Sequence, residues 1–295
     1  MIFSDAKIQE AFDHDGFAVL DDFFTAQDID DLFRLLRGFE KHTEACLTGA
    51  NGTINSVDKG LFLTRHFQDL EFEESLRLEL SRIAIRAMQR FLRVKYKNIA
   101  ALGIYKRPNS PDSAVDLHVH HSNLAPGSPQ PGLSIFAPLD NLDADLGPLA
   151  LIKGSHKLWE NDLSYTLTYM RQTYPELYSL MESYLTTVMP QAGQAIVFDQ
   201  FTIHKGLPNT HKSLGRLAIT AEFIPEDQDC ILFLPKYDAQ GSVVSLSGRQ
   251  VRKLPFEFSL NHRWIPEHLG DEVLTLDPYR VRSISADELT ACCRT

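Results

Sequence analysis

The chain has 295 residues, of which 43 % are hydrophobic and 23 % charged, the composition of an ordinary globular protein with enough apolar material for a full core. Its formal net charge of −10 offers no basic face of the kind that nucleic acid or an anionic membrane surface requires. No apolar run approaches the ~20 residues that span a bilayer. The start, Met1-Ile-Phe-Ser-Asp-Ala-Lys7, lacks the basic-then-apolar order of a secretory leader. Cys46, Cys230, Cys292 and Cys293 form no CxxC pair, so a reducing cytoplasm is the expected home, with Cys292 and Cys293 read as incidental thiols on a frayed tail.

In chain order, Ser4 and Asp5 are capping candidates for a helix to about His14, which Asp15-Gly16 stops. Phe17 to Leu20 is a short strand, and Thr25-Ala-Gln-Asp28 opens a second helix with Ile29, Leu32, Phe33, Leu35 and Leu36 on one side. Residues 42–60 read as a glycine-rich loop. The longest predicted helix runs from about Glu71 to Arg93, with a broad apolar face that braces a sheet. After it come short apolar or alternating runs at 99–105, 133–139, 149–152, 185–189, 195–198 and 217–223, separated by Pro, Gly, Asn and Asp clusters. A helical insertion at about 162–184, rich in tyrosine (Tyr165, Tyr169, Tyr174, Tyr178, Tyr184), interrupts them, and a hairpin follows within 230–260. The expected fold is mainly β with flanking helices, a jelly-roll core in one domain: helical support over about 1–95, the core over 96–225 and a C-terminal extension over 226–295.

Chemistry concentrates in Asp116-Leu-His-Val-His-His-Ser122 and in His204 of Phe198-Asp-Gln-Phe-Thr-Ile-His204. On a strand, side chains two apart share a face, so His118 and His120 project together and His121 projects opposite. A third imidazole from a distant strand completes a metal-site pattern. The spacing is that of the facial triad of non-haem iron oxygenases, except that His120 stands where that triad has its carboxylate. Three readings stay open. His118, His120 and His204 could form a neutral three-histidine site; Asp116, on the same strand face, could replace His120; or metal binding could be lost, leaving a ligand-binding barrel. Asp199 reads as a turn-former or a hydrogen-bonding support for a ligand, and His156 as a capping or packing residue.

The order of these segments resembles the phytanoyl-CoA dioxygenase family of iron and 2-oxoglutarate oxygenases. The likeness runs from Asp15-Gly-Phe-Ala-Val-Leu20, through Tyr105-Lys-Arg-Pro108 and Leu117-His-x-His120, to the acidic loop Leu139–Leu149 with Ile152-Lys-Gly-Ser-His156. It ends with Gly193 to His204 and Asn209 to Arg216; Lys153 stands in place of a usual proline. The resemblance implies a double-stranded β-helix of the cupin-like kind and an Fe(II) centre that uses 2-oxoglutarate and O2 to hydroxylate or otherwise oxidise a small organic substrate. It assigns the metal to His118, His120 and His204, and the co-substrate carboxylate to Arg216, with Lys106 a second candidate or else a strand-end lysine in water. An arginine fork suits a carboxylate because its donors match both oxygens. The alternatives are a three-histidine oxygenase that does not use 2-oxoglutarate and a non-catalytic binding protein on the same scaffold. No nucleic-acid or membrane partner is expected; the extension, with Phe256, Phe258 and Trp264, could cover the site or form a homodimer surface.

Overall fold

The computed structural model describes residues 1–36, 61–63, 70–120, 123–125, 127–159, 169–240, 243–251, 270–278 and 282–293. The loop at 42–60, Cys46, His121, Tyr165, Phe256, Phe258 and Trp264 lie outside the described residues. The first helix, α1 (Ala6–Asp15), begins where Asp5 accepts hydrogen bonds from the Lys7 and Ile8 N–H groups. It ends at Gly16, whose left-handed φ of 81° lets its own N–H return to the Phe12 carbonyl. A side chain there would also strike His156 and Thr202, so Gly16 serves the turn and the close packing together. The chain emerges directly into β1 (Phe17–Leu20). Helix α2 (Ala26–Leu36) opens on a reciprocal box: Thr25 N–H donates to the Asp28 carboxylate, and Asp28 N–H donates to Thr25 Oγ1. Helix α3 (Leu70–Gln89) stops four residues short of the expected Arg93 and lays Leu76, Leu80, Ile83, Ala84, Ala87 and Met88 in the core.

The strands form two principal sheets. The larger has the order β1-β8-β5-β10-β3-β2, built from β2 (Leu61–Leu63), β3 (Tyr96–Lys106), β5 (Leu133–Pro138), β8 (Ala195–Asp199), β10 (Arg216–Pro225) and β1. The smaller has the order β4-β9-β6-β7, from β4 (Val115–His118), β6 (Leu149–Ile152), β7 (Leu185–Val188) and β9 (His204–Gly206). Alternation along β10 shows how they stack. Leu217, Ile219, Ala221 and Phe223 join the cluster with Phe12, Leu32, Leu80 and Ile83 on the helical side. Ala218 joins Phe17, Phe136, Leu149, Leu151, Ile196 and Phe198 between the sheets. This is the expected jelly roll, with α1 to α3 braced against the outer face of the larger sheet. The smaller sheet is covered by a second apolar cluster that includes Trp159 and, from α4 (Met170–Thr173) and α5 (Tyr178–Ser183), Met170, Tyr178 and Met181.

The hairpin expected within 230–260 is present as β11 (Cys230–Tyr237) and β12 (Val243–Val251), and β13 (Glu272–Leu276) adds a third strand to it. The C-terminus departs from its expectation. Cys292 and Cys293 close a helix, α6 (Ala286–Cys293), which Ser285 and Glu288 cap reciprocally and which buries Leu289. The cue was a capping box, Ser285-Ala-Asp-Glu288, hidden in a sequence read only for its thiols. Cys292 Sγ donates to the Gly154 carbonyl at 2.9 Å, and burial, with Cys292 nearby, pushes the Cys293 thiol up to about 12, so Cys293 is not a ready thiolate.

Candidate metal centre

β4 and β9 lie side by side with His118 opposite His204 in register. The strand stops at His118, two residues before His120, whose N–H donates instead to the Gln200 carbonyl at 2.8 Å. The expected convergence holds nonetheless, because that bond returns His120 to the same rim of the barrel. Ring centroids are 4.1 Å apart for His118 and His204, 4.7 Å for His120 and His204, and 5.6 Å for His118 and His120. One ligand nitrogen from each lies within 4.8 Å of the other two. Among the described residues no other cluster of His, Cys, Asp or Glu is grouped in this way.

Each imidazole is held from behind through Nδ1. His118 Nδ1 sits 2.7 Å from the Asp116 carbonyl and His204 Nδ1 sits 2.9 Å from the Thr202 carbonyl. A carbonyl only accepts, so both rings carry their proton on Nδ1 and present a bare Nε2. His120 Nδ1 meets the Ser134 hydroxyl at 2.8 Å. Burial lowers the pKa of His118, and lowers that of His204 further with help from the charges of His118 and His120. The neutral form a metal needs is therefore the resting form at neutral pH.

Asp116, the alternative third ligand, is committed elsewhere. Its carboxylate takes Arg171 Nε at 2.9 Å, the Tyr178 hydroxyl, and the Leu117 N–H at 2.9 Å. Arg171 in turn lies over the Tyr178 ring, 3.9 Å from its centroid. Sharing a strand face was a sound reason to consider Asp116, but the tyrosine-bearing insertion draws the side chain outward. Asp199 is a turn-former: its carboxylate accepts the Phe201 N–H at 2.7 Å. His156 packs beneath the Gly16 turn, where burial pushes it down to about 4.

Arg216 and Lys106 are opposite each other across β10 and β3, and both are buried, at 2 % and 1 % exposure. Lys106 is therefore not a strand-end lysine in water. Its ammonium donates to the Leu207 carbonyl at 2.5 Å, while the Arg216 guanidinium lies over Phe136, 5.1 Å from the ring centroid, with Nε unbonded. Neither forms an ion pair among the described residues. Burial pulls Arg216 down to about 9, against the pull of Asp140; burial and then Arg216 push Lys106 well below its ordinary value. A buried unpaired cation costs several kcal/mol, so two on adjacent strands make a site that an anion would complete. At Gly147, φ is 69° and a side chain would strike the Leu207 carbonyl and crowd Lys106 Cδ, which explains why the acidic loop needs glycine there.

Three further residues frame the histidines without having stood out in the sequence. Phe198 packs on both His120 and His204, Tyr169 packs on His118 from the insertion, and Ser134 supports His120. Phe198 was visible as part of an apolar strand run, but a lone serine in an apolar strand carries no signal of its own.

The donor set and the buried cations fit ferrous iron and a dicarboxylate co-substrate. The model of the phytanoyl-CoA dioxygenase family matches residues 12–217. Among solved structures, the chain is similar to AviO1 from Streptomyces viridochromogenes Tue57, at 19 % identity and TM-score 0.50, over 76 % of this chain and 96 % of that one. It is also similar to EctD from S. alaskensis with 2-oxoglutarate and 5-hydroxyectoine bound, at 19 % identity and TM-score 0.49, over 77 % and 78 % of the two chains. HygX from Streptomyces hygroscopicus, with nickel and 2-oxoglutarate bound, matches at 14 % identity and TM-score 0.48, over 76 % and 88 %. No curated protein matches the chain. With two thirds of its length under one family model, the chain belongs to the phytanoyl-CoA dioxygenase family of iron and 2-oxoglutarate-dependent oxygenases.

Proposed function

We propose that His118, His120 and His204 hold Fe(II) through Nε2, that Arg216 and Lys106 receive the distal carboxylate of 2-oxoglutarate, and that the chain oxidises a small organic substrate. The observation that carries this reading is the pair of buried cations, Arg216 and Lys106, which face each other across β10 and β3 and form no ion pair among the described residues. When bound, iron with 2-oxoglutarate and O2 supplies a decarboxylation coupled to oxidation of the substrate. The protein's share is placement. Three imidazoles from one rim leave the opposite side open, Phe198 excludes water behind two of them, and Arg216 holds the co-substrate by charge and fork geometry. Tyr169, 44 % exposed against His118, and the Asp116–Arg171–Tyr178 group form the outer wall where a substrate would enter.

The test is anaerobic iron loading followed by measurement of CO2 and succinate formed from 2-oxoglutarate without added substrate. Slow uncoupled turnover is the expected result. Stoichiometric iron with no effect of 2-oxoglutarate would favour a three-histidine oxygenase of another kind, and absence of metal binding a binding protein on the same scaffold. The choice of third ligand has its own check: His120→Ala should lose most iron affinity, whereas Asp116→Asn should retain iron and disturb only the insertion. The reverse pattern, read by iron titration of both variants, would return Asp116 to the site.

No helix of the described residues is long and apolar enough to cross a membrane. A cytoplasmic location is part of this proposal, supported by the free thiols of Cys230, Cys292 and Cys293. So is a homodimer through the C-terminal extension, where Tyr237, Val244 and Val273 are exposed; sedimentation in the micromolar range would test it.

A further inference from the structure

The three neutral ligands leave a bound divalent ion one unit more positive than two histidines and a carboxylate would. A carboxylate lies directly behind the substituted position. Glu222 Oε1 is 3.5 Å from His120 Nδ1, the ring nitrogen that Ser134 Oγ also meets at 2.8 Å. We propose that Glu222 is a positioning residue for the metal: it fixes the His120 proton on Nδ1 and returns, through that ring, the negative charge that the ligand set lacks. The inference rests on the three-histidine reading above.

Its placement is built into the fold. Arg216, Ala218, Thr220 and Glu222 are alternate residues of β10 and share the face turned between the sheets, so one strand carries the co-substrate cation at one end and this carboxylate at the other. Glu222 is the register partner of Ser134, and Ser134 of Phe198, so the three supports of His120 form one row across β10, β5 and β8. The ladder between β10 and β3 shifts by one residue immediately after Glu222. Asn98 fastens that irregularity by donating from Nδ2 to the carbonyls of Glu222 and Ala100, at 3.0 and 2.8 Å. Bulges beside active sites commonly re-aim a side chain. Buried Asn123 then donates to Glu222 Oε2 at 3.2 Å, leaving Oε1 to face His120.

The same logic separates His120 from its neighbours. His118 and His204 rest on backbone carbonyls, which dictate Nδ1–H without charge. A serine hydroxyl either donates or accepts, so Ser134 alone leaves the His120 tautomer open. The carboxylate decides it, because only the Nδ1–H form meets Glu222 favourably, and an imidazole so supported is a more basic ligand through Nε2.

Cobalt(II) is a suitable probe. Metal-free wild type, Glu222→Gln and Glu222→Asp are titrated with cobalt by calorimetry, and the loaded proteins are examined by proton NMR in H2O for exchangeable, paramagnetically shifted ring N–H signals. The expected result is three such signals in the wild type and cobalt affinity about 10- to 100-fold weaker in Glu222→Gln. One ring signal should shift in that variant while two stay in place, and Glu222→Asp should recover part of the affinity. Unchanged affinity and spectrum in Glu222→Gln would overturn the proposal, as would only two ring signals in the wild type, a measurement that needs no variant to fold. Complete loss of cobalt from a folded Glu222→Gln would make Glu222 a direct ligand and overturn the positioning role. A wild type that takes up no cobalt would overturn the three-histidine reading together with this one.

Discussion

His204→Ala should leave a folded chain that no longer holds iron. His204 sits in register with His118 and its nitrogen is one of three gathered within 4.8 Å, so its removal leaves two ligands on one short segment. Two imidazoles cannot define a face against competing water, and the loss should exceed the ~100-fold that changing a mere support produces. Folding should be spared because the ring packs on Phe198, His118 and His120 at the barrel rim, outside the main apolar clusters. The metal-free protein gives a second, independent signature. His118 and His204 both have folded-state pKa values below the ordinary 6.5. As pH falls below about 6.5 the unfolded chain therefore takes up protons first, and the metal-free fold loses stability progressively until the folded-state values are passed. His204→Ala removes the larger of these two contributions, so its melting temperature should fall less steeply between pH 7 and 5 than that of the wild type. Iron retained at full stoichiometry, or an unchanged pH slope, would remove His204 from its assigned place.

Much of the scaffold was legible because local signals and burial agreed. Asp5 and Gly16 bound α1 as a cap and a left-handed stop should, and Thr25 and Asp28 open α2 by mutual hydrogen bonding. The strands expected at 149–152 and 195–198 read correctly because each run is apolar throughout and walled by turn residues; the second extends one residue further, to Asp199. What the sequence hid were relations between strands. Nothing local marks Lys106 as buried; it is so because its register partner is Arg216 and the Gly147 turn closes over it. Nothing local turns Asp116 away from His118 either; Arg171 and Tyr178, more than fifty residues on, do that. Glu222 needed only the observation that it shares a strand face with Arg216, but that observation had no meaning until His120 was known to lie against it.

Arg216→Met should change binding and stability in opposite directions. In the protein without co-substrate, the guanidinium is buried beside another cation, with Nε unbonded, while Phe136 and the charge of Asp140 compensate it among the described residues. Methionine keeps much of the stem's packing and removes the charge. Replacing uncompensated or poorly compensated buried charge by an apolar side chain of similar volume stabilises proteins by about 1–4 kcal/mol, so the metal-free variant should melt higher than the wild type. Binding should respond the other way. The lost charge-assisted fork should weaken 2-oxoglutarate affinity by ~2–5 kcal/mol, because the incoming carboxylate would be buried with Lys106 alone. Iron affinity should hardly move, since none of the three imidazoles touches the changed side chain. Calorimetric titration of 2-oxoglutarate into the iron-loaded proteins under anaerobic conditions, paired with melting curves of the metal-free proteins, reads both effects. A variant that melts higher yet binds 2-oxoglutarate as well as the wild type would show that Arg216 is a buried charge with no co-substrate role. A variant that loses both stability and binding would mean that the guanidinium holds the sheets together. Opposite signs are the expected signature of a side chain kept for its ligand at a cost to the fold.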